Sequence, residues 1–279
     1  MSSLEKISVS VVSVTATSNK KANLENVFAR AEQAVQEGAA WIALPEMFAF
    51  HGPYTELWEN AEFERGPLNE RLAEFASRHK IVLFAGSVAE RPEGSTSGKV
   101  YNTQYVFGRT GESLAKYRKT HLFNLKDSSG KPLYCESDGY LAGDTFVSVL
   151  VDGWRVGLAT CYDLRFTGVF STLSKAQPLD CLMIPSAFTY QTGMYHWELL
   201  LRARAVENLC YVVAANQVGL HSPGKQSFGH AMIVDPWGTK IADTGHLQGS
   251  SMASMTLARM AASREQLPAL NNLRSDLYK

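Results

Sequence analysis

Apolar positions along this chain fall into two recurring patterns. Short, nearly continuous apolar runs alternate with stretches whose apolar residues recur every three or four positions. The first pattern predicts buried strands and the second predicts helices with one apolar face. Residues 7–14 read as a first strand. Residues 23–36 read as a helix with Leu24, Val27, Phe28, Ala31 and Val35 on one face, and Gly38 is placed to cap it. A strand at 41–44 runs into a long loop that ends near Pro67. A second amphipathic helix spans 68–79 through Leu72, Phe75 and Ala76. Further strands are predicted at 81–88, 100–108, 113–117, 146–151, 154–159, 180–184 and 210–214. A helix at 194–208 lies between the last two, and its Met194, Trp197 and Leu201 mark a core or subunit-interface face. A meander follows at 231–234, 239–242 and 252–257.

The alternation predicts an α/β protein with a mixed sheet or sheets, and periodicity alone does not choose between one sheet and two. No linker, repeat or low-complexity tract interrupts residues 1–279, so a single domain is expected. Residues 267–279 form a poorly periodic tail containing Leu273, Leu277 and Tyr278.

Composition narrows the function. Lys plus Arg and Asp plus Glu number 27 each, giving zero net charge. That argues against a nucleic-acid partner, which needs a basic excess or stripe, and against general attraction to anionic membranes. No apolar run approaches the ~18 residues of a membrane-crossing helix. The four cysteines, Cys135, Cys161, Cys181 and Cys210, show no C-x-x-C spacing. A reducing compartment, the cytoplasm, is the simplest account. Cys181 and Cys210 fall in predicted strands and read as core thiols, whereas Cys135 lies in a polar loop and is expected to react incidentally. None of the seven histidines makes an H-x-x-x-H pair, and neither a metal nor a cofactor is expected. The stretch Gly94-Ser95-Thr96-Ser97-Gly98-Lys99-Val100 misses both the P-loop spacing and the serine-hydrolase elbow.

Three segments carry candidate chemistry. Cys161 follows the predicted strand 154–159 and precedes a segment that reads as helix after Phe166. A cysteine at such a junction meets the positive end of a helix, which favours the nucleophilic thiolate. Glu46 follows Leu44-Pro45, where the proline ends sheet pairing. Lys119 sits in Tyr117-Arg118-Lys119-Thr120-His121-Leu122-Phe123, just past another strand. Taken singly, each has a plainer reading: a buried inert thiol, a solvated loop glutamate and a basic surface face.

Taken together, in this order, Leu44-Pro45-Glu46, the Lys119 segment and Cys161-Tyr162-Asp163-Leu164-Arg165-Phe166 resemble the nitrilase superfamily of carbon–nitrogen hydrolases. Tyr195-His196-Trp197-Glu198, Arg202-Ala203-Arg204-Ala205-Val206-Glu207-Asn208, Asp235-Pro236-Trp237-Gly238 and the tail Arg274-Ser275-Asp276-Leu277-Tyr278 extend the resemblance over nearly the whole chain. It is nearest to the amidase branch that includes deaminated glutathione amidase and ω-amidase. The resemblance implies a four-layer α-β-β-α sandwich of two mixed sheets flanked by helices. It implies a homodimer or higher even oligomer, with the tail packing at the interface. It also implies a Glu46-Lys119-Cys161 triad working through a thioester acyl-enzyme. Glu46 would serve as general base, and Lys119 with the Tyr162 backbone N–H would hold the oxyanion. A second glutamate is expected in the loop after the lysine. Glu136 fits it and Asp138 is the rival.

Asp163 and Arg165 are expected to form structural ion pairs under the nucleophile turn. Tyr54, Phe188, Tyr190 and Thr192 are candidate pocket residues. The family's Pro-Glu-Leu after Arg-Phe is replaced by Thr167-Gly168-Val169, which weakens the following helix start. The expected activity is hydrolysis of a small carboxamide to carboxylate and ammonia. Deaminated glutathione is the first substrate and α-ketoglutaramate-type ω-amides are the second. A non-catalytic scaffold of the same fold, or a redox-sensing thiol protein, is the rival of another class.

Overall fold

In a computed structural model, which describes residues 4–175, 177–222 and 224–277, strands and helices alternate into two sheets. The first sheet runs in the order Gly249–Thr256, Lys6–Ser13, Trp41–Ala43, Val82–Glu90, Val100–Phe107, Ser113–Arg118, with Tyr140–Leu141 added beside Val100–Phe107. Lys6–Ser13, Trp41–Ala43 and Val82–Glu90 are parallel, the other pairs along this order are antiparallel, and Tyr140–Leu141 runs parallel to Val100–Phe107. The second sheet runs Lys240–Asp243, Met232–Val234, Tyr211–Ala214, Cys181–Met183, Trp154–Leu158, Val147–Val151, with its central three strands parallel.

Side-chain alternation explains why the sheets stack. Successive strand residues point to opposite faces. Val9, Val11, Trp41, Ala43, Val82 and Phe84 of the first sheet share one buried cluster with Val156, Leu158, Cys181, Met183 and Val213 of the second. The residues between them point outward and are also apolar. Ile42, Leu83 and Ala85 pack with Val27, Ala31, Leu72 and Phe75 of the helices Lys20–Gln36 and Pro67–His79. Leu182, Val212 and Ala214 pack with Val169, Phe170, Trp197 and Leu201 of the helices Thr167–Ser174 and Tyr190–Asn208. The layers are therefore helix, sheet, sheet, helix, the expected sandwich.

Gly38 follows the cap of the first helix at φ +94°, a conformation that favours glycine. Thr167–Ser174 folds as a helix despite Gly168. Four features depart from the sequence reading. The helix predicted from 194 begins at Tyr190, so Tyr190 and Thr192 lie in its first turn. Two hairpins form in stretches too polar to read as strands, Asn124–Lys126 with Pro132–Cys135 and Val218–Ser222 with Lys225–Phe228. A last helix, Leu257–Gln266, follows the strand Gly249–Thr256. The tail beyond it makes short turns at Ala269–Asn272 and Ser275–Leu277, and Tyr278 and Lys279 lie outside the described residues.

Candidate active site

Glu46, Lys119 and Cys161 each stand just past the C-terminal end of a strand: Trp41–Ala43, Ser113–Arg118 and Trp154–Leu158. The first two strands belong to one sheet and the third to the other, so the groups meet across the seam.

The Glu46 turn is held by backbone. Leu44 N–H donates to the Phe84 carbonyl at 2.9 Å, and Ser87 N–H donates to the Pro45 carbonyl at 3.3 Å. Gly86 makes this approach possible, because a Cβ there would lie 2.0 Å from the Pro45 oxygen. Gln217 Nε2 donates to the Glu46 carbonyl at 2.9 Å. The carboxylate itself accepts from Ala187 N–H at 2.7 Å, Asn102 Nδ2 at 2.8 Å and Lys119 Nζ at 3.0 Å.

Glu136 completes the cluster. Its two oxygens accept from Lys119 Nζ at 2.9 and 2.8 Å, and Phe123 N–H donates to it at 2.6 Å. Glu46, Lys119 and Glu136 are only 1%, 2% and 3% exposed. Asp138, the rival carboxylate, is exposed. Two buried carboxylates thus share one ammonium. Burial alone would lower the lysine pKa, but Glu136 and then Glu46 outweigh it and keep the ammonium charged.

Cys161 opens a short 3₁₀ turn, Cys161–Arg165, with φ +47° at the cysteine. That strained backbone is held by Cys161 N–H donating to the Pro185 carbonyl at 3.0 Å. Asp163 braces the turn from below. It accepts from Thr160 N–H at 2.9 Å, Tyr117 Oη at 2.7 Å and His121 N–H at 3.1 Å. The Tyr162 N–H has no backbone acceptor among the described residues.

The thiol does not rest as a thiolate. The α-helix starts only at Thr167, so Cys161 is not at its positive end. Burial, then the Glu46 carboxylate, push the thiol well above its ordinary range, while Lys119 pulls the other way. The resting group is a thiol beside a carboxylate that can take its proton.

These groups line one cavity of ≈ 410 Å³, part of it open to solvent. Phe188 and Thr192 line it as expected, together with Met47, Phe123, Tyr134, Tyr162, Ala187 and Thr189. Tyr54 and Tyr190 do not. Tyr190, half-buried in the first helical turn, packs instead against Phe228 at 5.9 Å between ring centroids. Tyr54 packs edge-on to Tyr140 at 5.9 Å in a neighbouring recess.

Arg165 also departs from expectation. It makes no pair with Asp163, because the 3₁₀ turn sends Asp163 down to Tyr117 and His121 and sends Arg165 into the cavity wall. Its guanidinium lies 5.1 Å from the Phe188 ring centroid and 3.3 Å from His196 Nδ1. No carboxylate among the described residues pairs with it. Sequence reasoning missed Asn102 and Gln217, the side chains that hold the Glu46 turn. Their only signal was polarity within or beside buried strands.

Comparison with known proteins agrees with this geometry. The carbon-nitrogen hydrolase family model matches residues 8–265. A deaminated glutathione amidase of Synechocystis is 38% identical over 261 residues, covering 93% of this chain and 95% of that one. An omega-amidase of Xenopus tropicalis is 38% identical over 277 residues, covering 99% and 98%. The crystal structure of the Caenorhabditis elegans NitFhit protein superposes with a TM-score of 0.92 at 34% identity, covering all of this chain and 67% of that one. With this fold, this cluster and these relatives, the chain belongs to the carbon–nitrogen hydrolase family, in the amidase branch of the nitrilase superfamily.

Proposed function

We propose that the protein hydrolyses an amide whose acyl part carries its own carboxylate, through a thioester on Cys161. The observation that carries this reading is the convergence of Cys161, Lys119, Glu46 and Glu136 in one cavity. Glu46 takes the Cys161 proton, and the sulfur attacks the amide carbonyl. The oxyanion forms beside Lys119 Nζ and the Tyr162 N–H. Its collapse breaks the carbon–nitrogen bond, and Glu46 returns the proton to the leaving nitrogen. Water, deprotonated by Glu46, then attacks the thioester, and the carboxylate leaves as the thiol is restored. Glu136 acts as a positioning residue that fixes the lysine.

The unpaired Arg165, beside Thr192 and Phe188, supports the acidic acyl part, since a guanidinium pairs naturally with a carboxylate. Deaminated glutathione is the first substrate and an ω-amide such as α-ketoglutaramate is the second. The two differ in leaving group. Deaminated glutathione is an N-substituted amide and releases a dipeptide amine, so ammonia is the product only of the primary amide.

We also infer a homodimer and a reducing, cytoplasmic setting. Tyr195 and Leu199 of the helix Tyr190–Asn208 are 71% and 65% exposed, which supports a partner on that face, and the apolar tail would extend it. All four cysteines are free. No helix among the described residues is long and apolar enough to cross a membrane.

The test is amine and ammonia release from both amides, with Cys161→Ala and Arg165→Gln alongside. Cys161→Ala should abolish turnover while the fold persists, and Arg165→Gln should raise KM by about tenfold. Turnover that survives Cys161→Ala would sink the mechanism. An unchanged KM in Arg165→Gln would remove the acidic acyl group from the reading.

A further inference from the structure

Next to the catalytic cavity lies a second recess, and Met47 and Tyr134 line both. Tyr54, Tyr140, His51 and Lys225 form much of the remaining wall. Lys225 opens the strand Lys225–Phe228 in the hairpin whose Ser227 bridges to Thr189, itself a lining residue of the catalytic cavity. Its ammonium lies 5.5 Å from the Tyr54 ring centroid and 5.6 Å from that of Tyr134.

Those aromatic faces orient the cation without neutralising it. No carboxylate among the described residues pairs with Lys225. Glu136, whose charge is felt at Tyr54 and Tyr134, is already held by both oxygens on Lys119. The other basic neighbours are the tilted rings of His51 and His221, whose centroids lie 4.1 Å apart. Burial first, with Lys225 contributing, holds both rings uncharged at neutral pH. The recess therefore offers one cation, aromatic walls and no anion.

We propose that Lys225, between Tyr54 and Tyr134, anchors a second carboxylate of the substrate, carried by the leaving amine. The inference rests on the amidase reading above and narrows it. Arg165 takes the carboxylate of the acyl part. The chain beyond the scissile nitrogen crosses the Met47–Tyr134 wall, and its terminal carboxylate meets Lys225. The substrate class is an N-substituted amide whose amine is an amino acid or short peptide. Deaminated glutathione carries both carboxylates, and α-ketoglutaramate carries only one.

The experiment compares three compounds: deaminated glutathione, the same compound with its glycine carboxylate converted to a carboxamide, and α-ketoglutaramate. Each is assayed with the wild type, Lys225→Gln and Lys225→Arg. Lys225→Gln should raise KM for deaminated glutathione about tenfold at unchanged kcat. It should leave the other two compounds unchanged, and Lys225→Arg should restore the low KM. Turnover of α-ketoglutaramate by all three proteins reports that the variants are folded. If Lys225→Gln shifts all three KM values alike, or none, Lys225 is not the anchor. Wild-type turnover confined to α-ketoglutaramate would overturn the second carboxylate and leave the amidase standing. No turnover of any compound would overturn the amidase reading, and this inference with it.

Discussion

Glu136 grips Lys119 with both carboxylate oxygens, at 2.9 and 2.8 Å, whereas Glu46 reaches the same nitrogen with one, at 3.0 Å. The lysine is therefore fixed chiefly by Glu136 rather than by Glu46, the proposed proton carrier. In Glu136→Gln the amide turns a donor or a weaker acceptor toward the ammonium, and Lys119 shifts. A displacement of about 1 Å commonly costs about 10²-fold in rate. The expected result is a loss of that order in kcat with a smaller change in KM, measured on the preferred amide. An unaltered kcat would show that Glu46 alone positions the lysine.

Glu46→Gln separates the two influences on Cys161. The Glu46 charge raises the thiol pKa and Lys119 lowers it. Removing the charge lowers the thiol pKa, so more thiolate exists at neutral pH. Turnover should nonetheless fall by about 10²–10⁴-fold, because the proposed general base is gone. Ultraviolet thiolate absorbance and iodoacetamide labelling should rise while amidase activity disappears. A variant with less thiolate than the wild type contradicts the arrangement.

Gly86→Ala tests the turn behind Glu46. The new Cβ would lie 2.0 Å from the Pro45 carbonyl oxygen and 2.5 Å from that of Leu44, and Gly86 itself has φ +27°. Backbone cannot yield as a flexible side chain does, so the Glu46 turn must move. Overpacking of this kind costs about 1–3 kcal/mol. Both Tm and kcat should fall. Wild-type kcat in a folded Gly86→Ala protein would mean that Glu46 tolerates the displacement.

Asp163→Ala removes the acceptor shared by Thr160 N–H, Tyr117 Oη and His121 N–H. Bonds to a buried carboxylate contribute about 1.5–3 kcal/mol each, and the Thr160 and Tyr117 donors left behind are buried. Chemical denaturation should show a loss of about 3 kcal/mol or more. Activity should fall with it, since the turn beneath Cys161 loosens. Loss of activity at unchanged stability would point to a direct role for Asp163.

Stability should fall on mild acidification. Burial, then His221 and Lys225, lower the His51 pKa from 6.5 to about 3. Between those values the unfolded chain binds a proton that the folded protein refuses. This contribution is complete above pH 6.5 and declines as pH falls toward 3, by up to about 1.4 kcal/mol per pH unit. His221, lowered by burial, acts in the same direction. Glu90, Asp152 and Asp243 are also held low, but their losses begin only near or below about pH 4. A falling Tm between pH 6.5 and 5, flattened in His51→Phe, is the expected result. A wild-type Tm that stays level across that interval rules the account out.

Much of this was legible in the sequence, for identifiable reasons. The helices Lys20–Gln36 and Pro67–His79 have one apolar face each, and their C-terminal bounds followed, although the first begins three residues before the predicted start at 23. The number of sheets did not follow from periodicity. Trp41, Ile42 and Ala43 are all buried, so the run does not reveal which residues face the second sheet. Glu46, Lys119 and Cys161 were singled out by the order and resemblance of their three motifs, since each alone has a plainer reading, and the structure brings them into one cavity. Arg165 was misread because its direction depends on the 3₁₀ turn after Cys161, which residue types do not specify. Tyr54 was placed beside the right neighbourhood but in the wrong recess, since a loop has no period to orient it. Gly86, alone inside an apolar strand, was the unused signal for the close approach of the Pro45 carbonyl.

The pairing of Lys6 with Thr256, and of Ser13 with Gly249, joins one of the first strands to one of the last. During synthesis Lys6–Ser13 has one edge without a partner until residues 249–256 have emerged. Contacts this remote in sequence form slowly, because a large loop must close first. An apolar strand edge that waits so long invites pairing with other chains. The protein should therefore refold slowly from denaturant and depend on protection of its first strand. Any truncation that removes Gly249–Thr256 should aggregate before it loses a single catalytic side chain.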